Sequence, residues 1–245
     1  MSKPFLIIQL RPEDSTADSE LSAILKYGQL ATGDVRRIRA EQQGLPDIDL
    51  DDYSGIIVGG SPFDVTTPEH QKSDIQRRLE RQFNRLFDDI VAADFPFLGC
   101  CSGNGLLGNY LGTPMSGRFS EPVCCRKVTI TDAGKKDPLL AGFPAQISVL
   151  LGHKEACDEV PTGCELLVEG DDCPVQMFRL KNNIYATQFH PEGDADGFSL
   201  RIRVYQHHGY FAPDEAEQLI QQLQQQHTPH AQELLSRFVR RYAGD

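Results

Sequence analysis

FPFLGCCSGNGLLG, residues 95–108, carries an apolar run into a glycine-rich turn with two adjacent cysteines, and its reading decides the fold. Gly103, Gly105 and Gly108 spell GxGxxG, the spacing of a dinucleotide-binding loop. Gly99, Cys101 and Gly103 spell GxCxG, the spacing of a nucleophile exposed at a strand-to-helix elbow. A dinucleotide site needs its first glycine at the strand end, a long helix, a second strand, and an acid roughly 20 residues on. Here Cys100, Cys101 and Ser102 intervene before Gly103, the helix stops at Gly112 and Pro114, and TPMSGRFS before Glu121 lacks strand character. The elbow asks only for small residues two before and two after the nucleophile, so that the backbone can fold back. Cys101 has glycine at both places, whereas Cys100 has Leu98 and Ser102. Cys101 is therefore expected to face a site and Cys100 the core. At a helix start, Cys101 would also meet backbone N–H groups that favour thiolate.

Working outward, FLIIQL (5–10), VRRIRA (35–40), GIIVGG (55–60) and FPFLGC (95–100) read as strands spaced widely enough for crossovers. Between the last two, Ile75, Leu79, Phe83, Leu86, Phe87, Ile90 and Val91 recur at steps of three and four, which predicts an amphipathic helix. The alternation implies an α/β fold with an open, mostly parallel central sheet flanked by helices. After residue 112 the strand candidates crowd together: VCCRKVTIT, QISVLLG, CELLVEG, VQMFRL and NIYATQFH, the last two joined by a hairpin turn over Lys181, Asn182 and Asn183. From Phe198 the chain reads as helices, with Pro213, Asp214 and Glu215 marking a helix start. The expected organisation is one domain over residues 1–198, with residues 199–245 as a helical extension packed on it.

A thiol nucleophile needs a base, and the base an orienting acceptor. Among seven histidines, His190 closes a strand-like run and is followed by Pro191 and Glu192. In extended backbone, residues i and i+2 share a face, and Pro191 excludes helix at His190, so His190 and Glu192 are expected side by side. The tetrahedral intermediate needs an anion site. GIIVGGSPFDV puts Gly59 and Gly60 at a central strand end, where open α/β sheets bind ligands. A backbone N–H of these glycines and the N–H of Ser102 are the expected oxyanion donors.

Together GGSPFDV, FLGCCSGNGLLG and QFHPE make the chain resemble the class I, triad-type glutamine amidotransferase family, as a stand-alone relative of the GMP synthase glutaminase domain. GHKEA (152–156) followed by VPTGCELL is similar to the segment before that family's final hairpin. The resemblance implies that fold with a small antiparallel hairpin region. It implies that Cys101 attacks a γ-carboxamide, His190 carries protons, Glu192 orients His190, Gly60 and Ser102 receive the oxyanion, and Gly59, Asn104, Gly105 and Gln188 lie at the substrate. The family elbow reads GxCxGHQ, and this chain has Asn104 and Gly105 in the last two places. The substrate is thus expected to be glutamine or another γ-glutamyl small molecule. A γ-glutamyl peptidase or hydrolase, or a non-catalytic partner subunit, is the alternative. A separate ammonia-accepting synthetase subunit is the implied partner, since the sequence shows no ATP-binding synthetase domain, and a homo-oligomer is compatible with it. No cofactor is implied.

The 24 basic and 35 acidic residues give a net charge of −11, which argues against nucleic acid or an acidic membrane as partner. Arg77, Arg78, Arg81 and Arg85 alternate with acids and read as a solvated helix face. Seven cysteines with no CxxC spacing predict neither a disulfide framework nor a metal site. A six-residue apolar stretch before Arg11 is too short for a signal-peptide core, and no run reaches eighteen apolar residues, so a cytoplasmic location is expected.

Overall fold

Strand β4 (Phe97–Cys100) passes into helix α4 (Ser102–Tyr110) through Cys101 alone, and the rest of the fold is arranged around that junction. The computed structural model describes residues 3–207 and 211–244. The predicted strands and helix of the first half appear as β1 (Phe5–Gln9), β2 (Val35–Arg39), β3 (Gly55–Val58) and α3 (Asp74–Ala93), and the structure adds α1 (Asp14–Gly28) after β1 and a short α2 (Ala40–Gln43) after β2. After α4 come β5 (Met115–Ser116), β6 (Glu121–Ile130), β7 (Gln146–His153), β8 (Ala156–Cys157), β9 (Cys164–Glu169), β10 (Met177–Leu180) and β11 (Ile184–Thr187). Helices α5 (Ala195–Tyr205), α6 (Ala216–Gln224) and α7 (Pro229–Tyr242) end the chain. Residues 208–210 and 245 of the helical stretch expected over 199–245 lie outside the described residues.

Nine strands form one sheet in the order β2-β1-β3-β4-β11-β10-β9-β6-β7. The strands from β2 to β11 pair in parallel and those from β11 to β7 antiparallel. The antiparallel part thus extends well beyond the β10–β11 hairpin, which turns at Lys181 with a φ of 53°. The parallel strands are apolar on both faces because both are covered. Phe5 and Ile7 face a core shared with Leu234, Leu235 and Phe238 of α7, while Leu6 and Ile8 face one shared with Phe83 and Phe87 of α3. That alternation is the two-residue period of a strand read out as two cores.

Two local readings are corrected. Ile75, placed on the apolar stripe of α3, is 42% exposed, and Gln76 takes the inward position. Its amide donates to the Asp64 carbonyl at 2.7 Å, so the first turn of α3 anchors a loop instead of filling the core. TPMSGRFS does contain a strand, since Met115 and Ser116 pair antiparallel with Cys157 and Ala156. Two residues are too few to show a period.

Candidate active site

Cys101 has φ 54° and ψ −96°, a conformation costly for any residue with a Cβ. It is held from both sides: its N–H donates to the Thr187 carbonyl at 2.8 Å and its carbonyl accepts from the Gly105 N–H at 3.0 Å. The flanking glycines are required sterically. A Cβ on Gly99 would lie 2.6 Å from the Gly103 carbonyl carbon, and one on Gly103 would lie 3.1 Å from Val58. Gly108 packs against Cys157, where a Cβ would meet Sγ at 2.6 Å. The GxGxxG spacing is therefore explained by helix-on-sheet packing and the elbow. Cys100 is buried in the core, as expected.

Beyond β11 the chain turns sharply, with the His190 N–H donating to the Leu150 carbonyl at 2.9 Å and the Gly193 N–H closing back on the His190 carbonyl at 3.0 Å. This tight turn, not the extended backbone read from the sequence, brings the pair together. His190 Nδ1 lies 2.7 Å from Glu192 Oε1. The carboxylate accepts, so Nδ1 carries the proton and Nε2 keeps its lone pair. His190 and Cys101 line one pocket, and Phe198 stacks edge-on against the imidazole at 5.3 Å between centroids.

Beneath them lies a buried charge network absent from the sequence reading. Glu20 accepts from Arg11 Nε at 2.7 Å, Gln9 Nε2 at 3.1 Å and the Gly60 N–H at 3.2 Å, with Arg201 Nη2 at 3.8 Å. Arg201 Nη2 also donates to Glu192 Oε1 at 3.1 Å. The network thus runs from the GGSP loop to the carboxylate behind His190. It also explains Gly59 and Gly60. A Cβ on the first would sit 2.3 Å from Glu20 Oε1, and one on the second 2.5 Å from Arg11 Nη2 and 2.9 Å from His190 Cε1. A signal was present in the sequence: Glu20 lies three residues after Ala17 and four before Ile24, a charge set into the buried stripe of α1.

Cys101 sits between two adjoining pockets. The first is bounded by Arg11, His190, Arg201, Val123 and Phe198; the second by Asp64, Ser102, Gly105, His153, Glu155 and Gln188. Ser61 borders both, its N–H donating to Ser102 Oγ at 2.7 Å. Three expected placements differ. Gly60 directs its N–H at Glu20 instead of toward the sulfur, and Gly59 packs on the same carboxylate. Asn104 is fully buried, its Oδ1 3.7 Å from Cys157 Sγ, and borders neither pocket. Gly105 and Gln188 do border the second pocket, and Glu155 Oε1 lies 3.4 Å from where a Cβ at residue 105 would be.

Burial pushes the Cys101 thiol up to about 12, with Arg11 and Arg201 opposing and Glu192 adding to the rise. Desolvation outweighs the pull of the two guanidiniums, which favours a thiol at rest where the helix start favours thiolate. Burial also lowers His190 from its ordinary value, against the pull of Glu192, which leaves the ring neutral at pH 7. Burial alone would raise Glu192, yet the charge and hydrogen bond of His190, with Arg201, hold it well below the usual carboxylate range. A neutral thiol beside a neutral imidazole reacts by proton transfer at the moment of attack. Alkylation of Cys101 by iodoacetamide is therefore expected to keep accelerating as pH rises through 9, the ordinary thiol value. Mass-spectrometric rates that level off between about pH 5 and 8, as a preformed thiolate–imidazolium pair gives, would contradict this.

The family model for class-I glutamine amidotransferases matches residues 17–202. One subunit of the glutamine-hydrolysing GMP synthase from Sulfurisphaera tokodaii is 31% identical over 144 residues, covering 58% of this chain and 69% of that one. The corresponding subunit from Methanocaldococcus jannaschii is 28% identical over 142 residues, covering 58% of this chain and 65% of that one. Among solved structures, a glutamine amidotransferase from Thermotoga maritima superposes with a TM-score of 0.70 at 19% identity, covering 96% of this chain and 98% of that one, a likeness of fold. No helix among the described residues is long and apolar enough to cross a membrane.

Proposed function

The chain belongs to the class-I glutamine amidotransferase family, and on that premise we propose that it hydrolyses the γ-amide of glutamine or a related γ-glutamyl compound through a thioester on Cys101. The observation that carries this reading is the strained Cys101 sharing a pocket with His190, whose Nδ1 is held by Glu192 at 2.7 Å. His190 Nε2 takes the Cys101 proton as sulfur attacks the γ-carbonyl carbon. The Ser102 N–H, first in α4 and so without a partner inside the helix, receives the oxyanion. With the Gly60 N–H engaged by Glu20, the Ser61 N–H is the second donor once Ser102 Oγ turns away. Collapse breaks the C–N bond, the imidazolium protonates the departing ammonia, and a γ-glutamyl thioester remains. Water, deprotonated by His190, then releases the acid and returns the proton to sulfur.

A second reading, a γ-glutamyl peptidase or hydrolase, is favoured by Gly105, which leaves the Glu155 carboxylate where the family's glutamine side chain would reach. That the GMP synthase relatives are each one subunit of their enzyme supports a separate ammonia-accepting partner for the first reading. Incubating the protein with glutamine and with γ-glutamyl amides of larger amines, and measuring ammonia and amine release, separates the two. Release from glutamine at the highest kcat/KM supports the amidotransferase reading, and preference for a larger amine supports the second. No turnover of any of them, with Cys101 unlabelled by γ-glutamyl electrophiles, refutes both and leaves a non-catalytic partner protein.

A further inference from the structure

Away from the nucleophile, Glu121 at the start of β6, His153 at the end of β7 and Cys173 between β9 and β10 converge, all buried, with one ligand atom of each within 4.8 Å of the others. His153 sets the problem. Its Nδ1 lies 3.0 Å from the Glu155 carbonyl and its Nε2 lies 3.0 Å from Glu121 Oε2. A neutral ring has one N–H for these two oxygens, and a cation set between Nε2 and Glu121 Oε2 meets the need of both. The Nδ1–H bond to a backbone carbonyl is the arrangement that fixes a metal-binding histidine with Nε2 toward the ion. Gln176 adds a separate observation. It is fully buried, its Nε2 donates to the same Glu121 oxygen at 2.7 Å, and its Oε1 has no partner among the described residues. A half-turn of that amide gives the ion a fourth donor.

We propose that Glu121, His153 and Cys173, with Gln176 Oε1, form a site for a divalent cation of the zinc or cobalt type. One sulfur, one imidazole and oxygen donors suit a borderline-soft ion in four-fold coordination. Binding sets the Glu121 carboxylate and a Cys173 thiolate against the dication, the thiol proton being released. No motif announces the site, because Glu121, His153 and Cys173 lie 32 and 20 residues apart, outside any CxxC-like spacing. His153 also borders the pocket that holds Gly105 and Gln188, so an ion here ties β6, β7 and the β9–β10 loop into one wall of the candidate substrate site.

The test is titration of chelator-treated protein with cobalt(II) and with zinc(II). The proposal expects visible d–d bands with a thiolate-to-cobalt charge-transfer band saturating at one ion per chain, and a melting temperature raised by zinc. Both are to persist in Cys164→Ala and vanish in Cys173→Ala. Failure of the intact protein to bind either ion, or an unchanged charge-transfer band in Cys173→Ala, overturns the site and leaves a buried His153–Glu121 hydrogen bond. Should Cys173→Ala not fold, X-ray absorption of the cobalt-loaded protein decides: one sulfur among nitrogen and oxygen ligands upholds the site, and no sulfur or several overturns it.

Discussion

Replacing Cys101 with alanine is expected to remove γ-glutamyl amide hydrolysis, a loss of about six orders of magnitude in kcat of the kind seen when a nucleophile is taken from a unit that acts together. The same change at Cys100 is expected to leave kcat within a few-fold and to cost about 1 kcal/mol of stability, since it removes one buried sulfur from the core. The two residues are neighbours, so the contrast isolates orientation from position. Cys101 stands at φ 54° beside His190, while Cys100 belongs to the sheet and pairs in register with Thr187. Steady-state ammonia release and urea denaturation on both variants measure the two effects. Comparable turnover in the Cys101 variant would remove the proposed chemistry altogether.

The second large effect is expected at Glu20, which touches no substrate. Glu20→Ala leaves Arg11 and Arg201, both more than nine-tenths buried, without their shared carboxylate. Truncating one partner of a buried ion pair typically costs about 3–5 kcal/mol, because the remaining charge stays desolvated. Urea titration is expected to show a loss of that size. The kinetics are expected to fall as well, since the Gly60 N–H loses its acceptor and Arg201 keeps only its contacts with Glu192 and His190. Glu20→Gln, which keeps an acceptor oxygen, is expected to retain more of both. A Glu20→Ala protein as stable as the unaltered one would show that the network is solvated and contributes nothing.

The elbow is legible in the sequence because it is a short-range steric problem. Gly99 and Gly103 bracket one cysteine and not the other, and the overlap that a Cβ would cause at either place involves the elbow itself and the strand beside it. The pairing of His190 with Glu192 is legible because the two are so close along the chain, although a turn and not a strand delivers it. The loop glycines stand out equally, but their task does not. The Gly60 N–H serves Glu20, and the missing side chains of both glycines make room for Glu20 and Arg11, which arrive from α1 and the end of β1. Asn104 leaves its expected place at the substrate because helix α4 turns that position toward Cys157.

Periodicity and local sterics in the sequence determined the nine strands of the main sheet, the amphipathic α3, the elbow at Cys101 and the His190–Glu192 pair. Each is fixed by residues close together along the chain. The tertiary structure decided that the sheet continues through four antiparallel strands, that Glu20 joins Arg11 to Arg201, and that Glu121, His153 and Cys173 meet. It also decided that burial raises the Cys101 thiol. These depend on burial and on contacts between distant segments, and the free energy of a charge or a proton is set by what surrounds it in space and not by its neighbours in sequence.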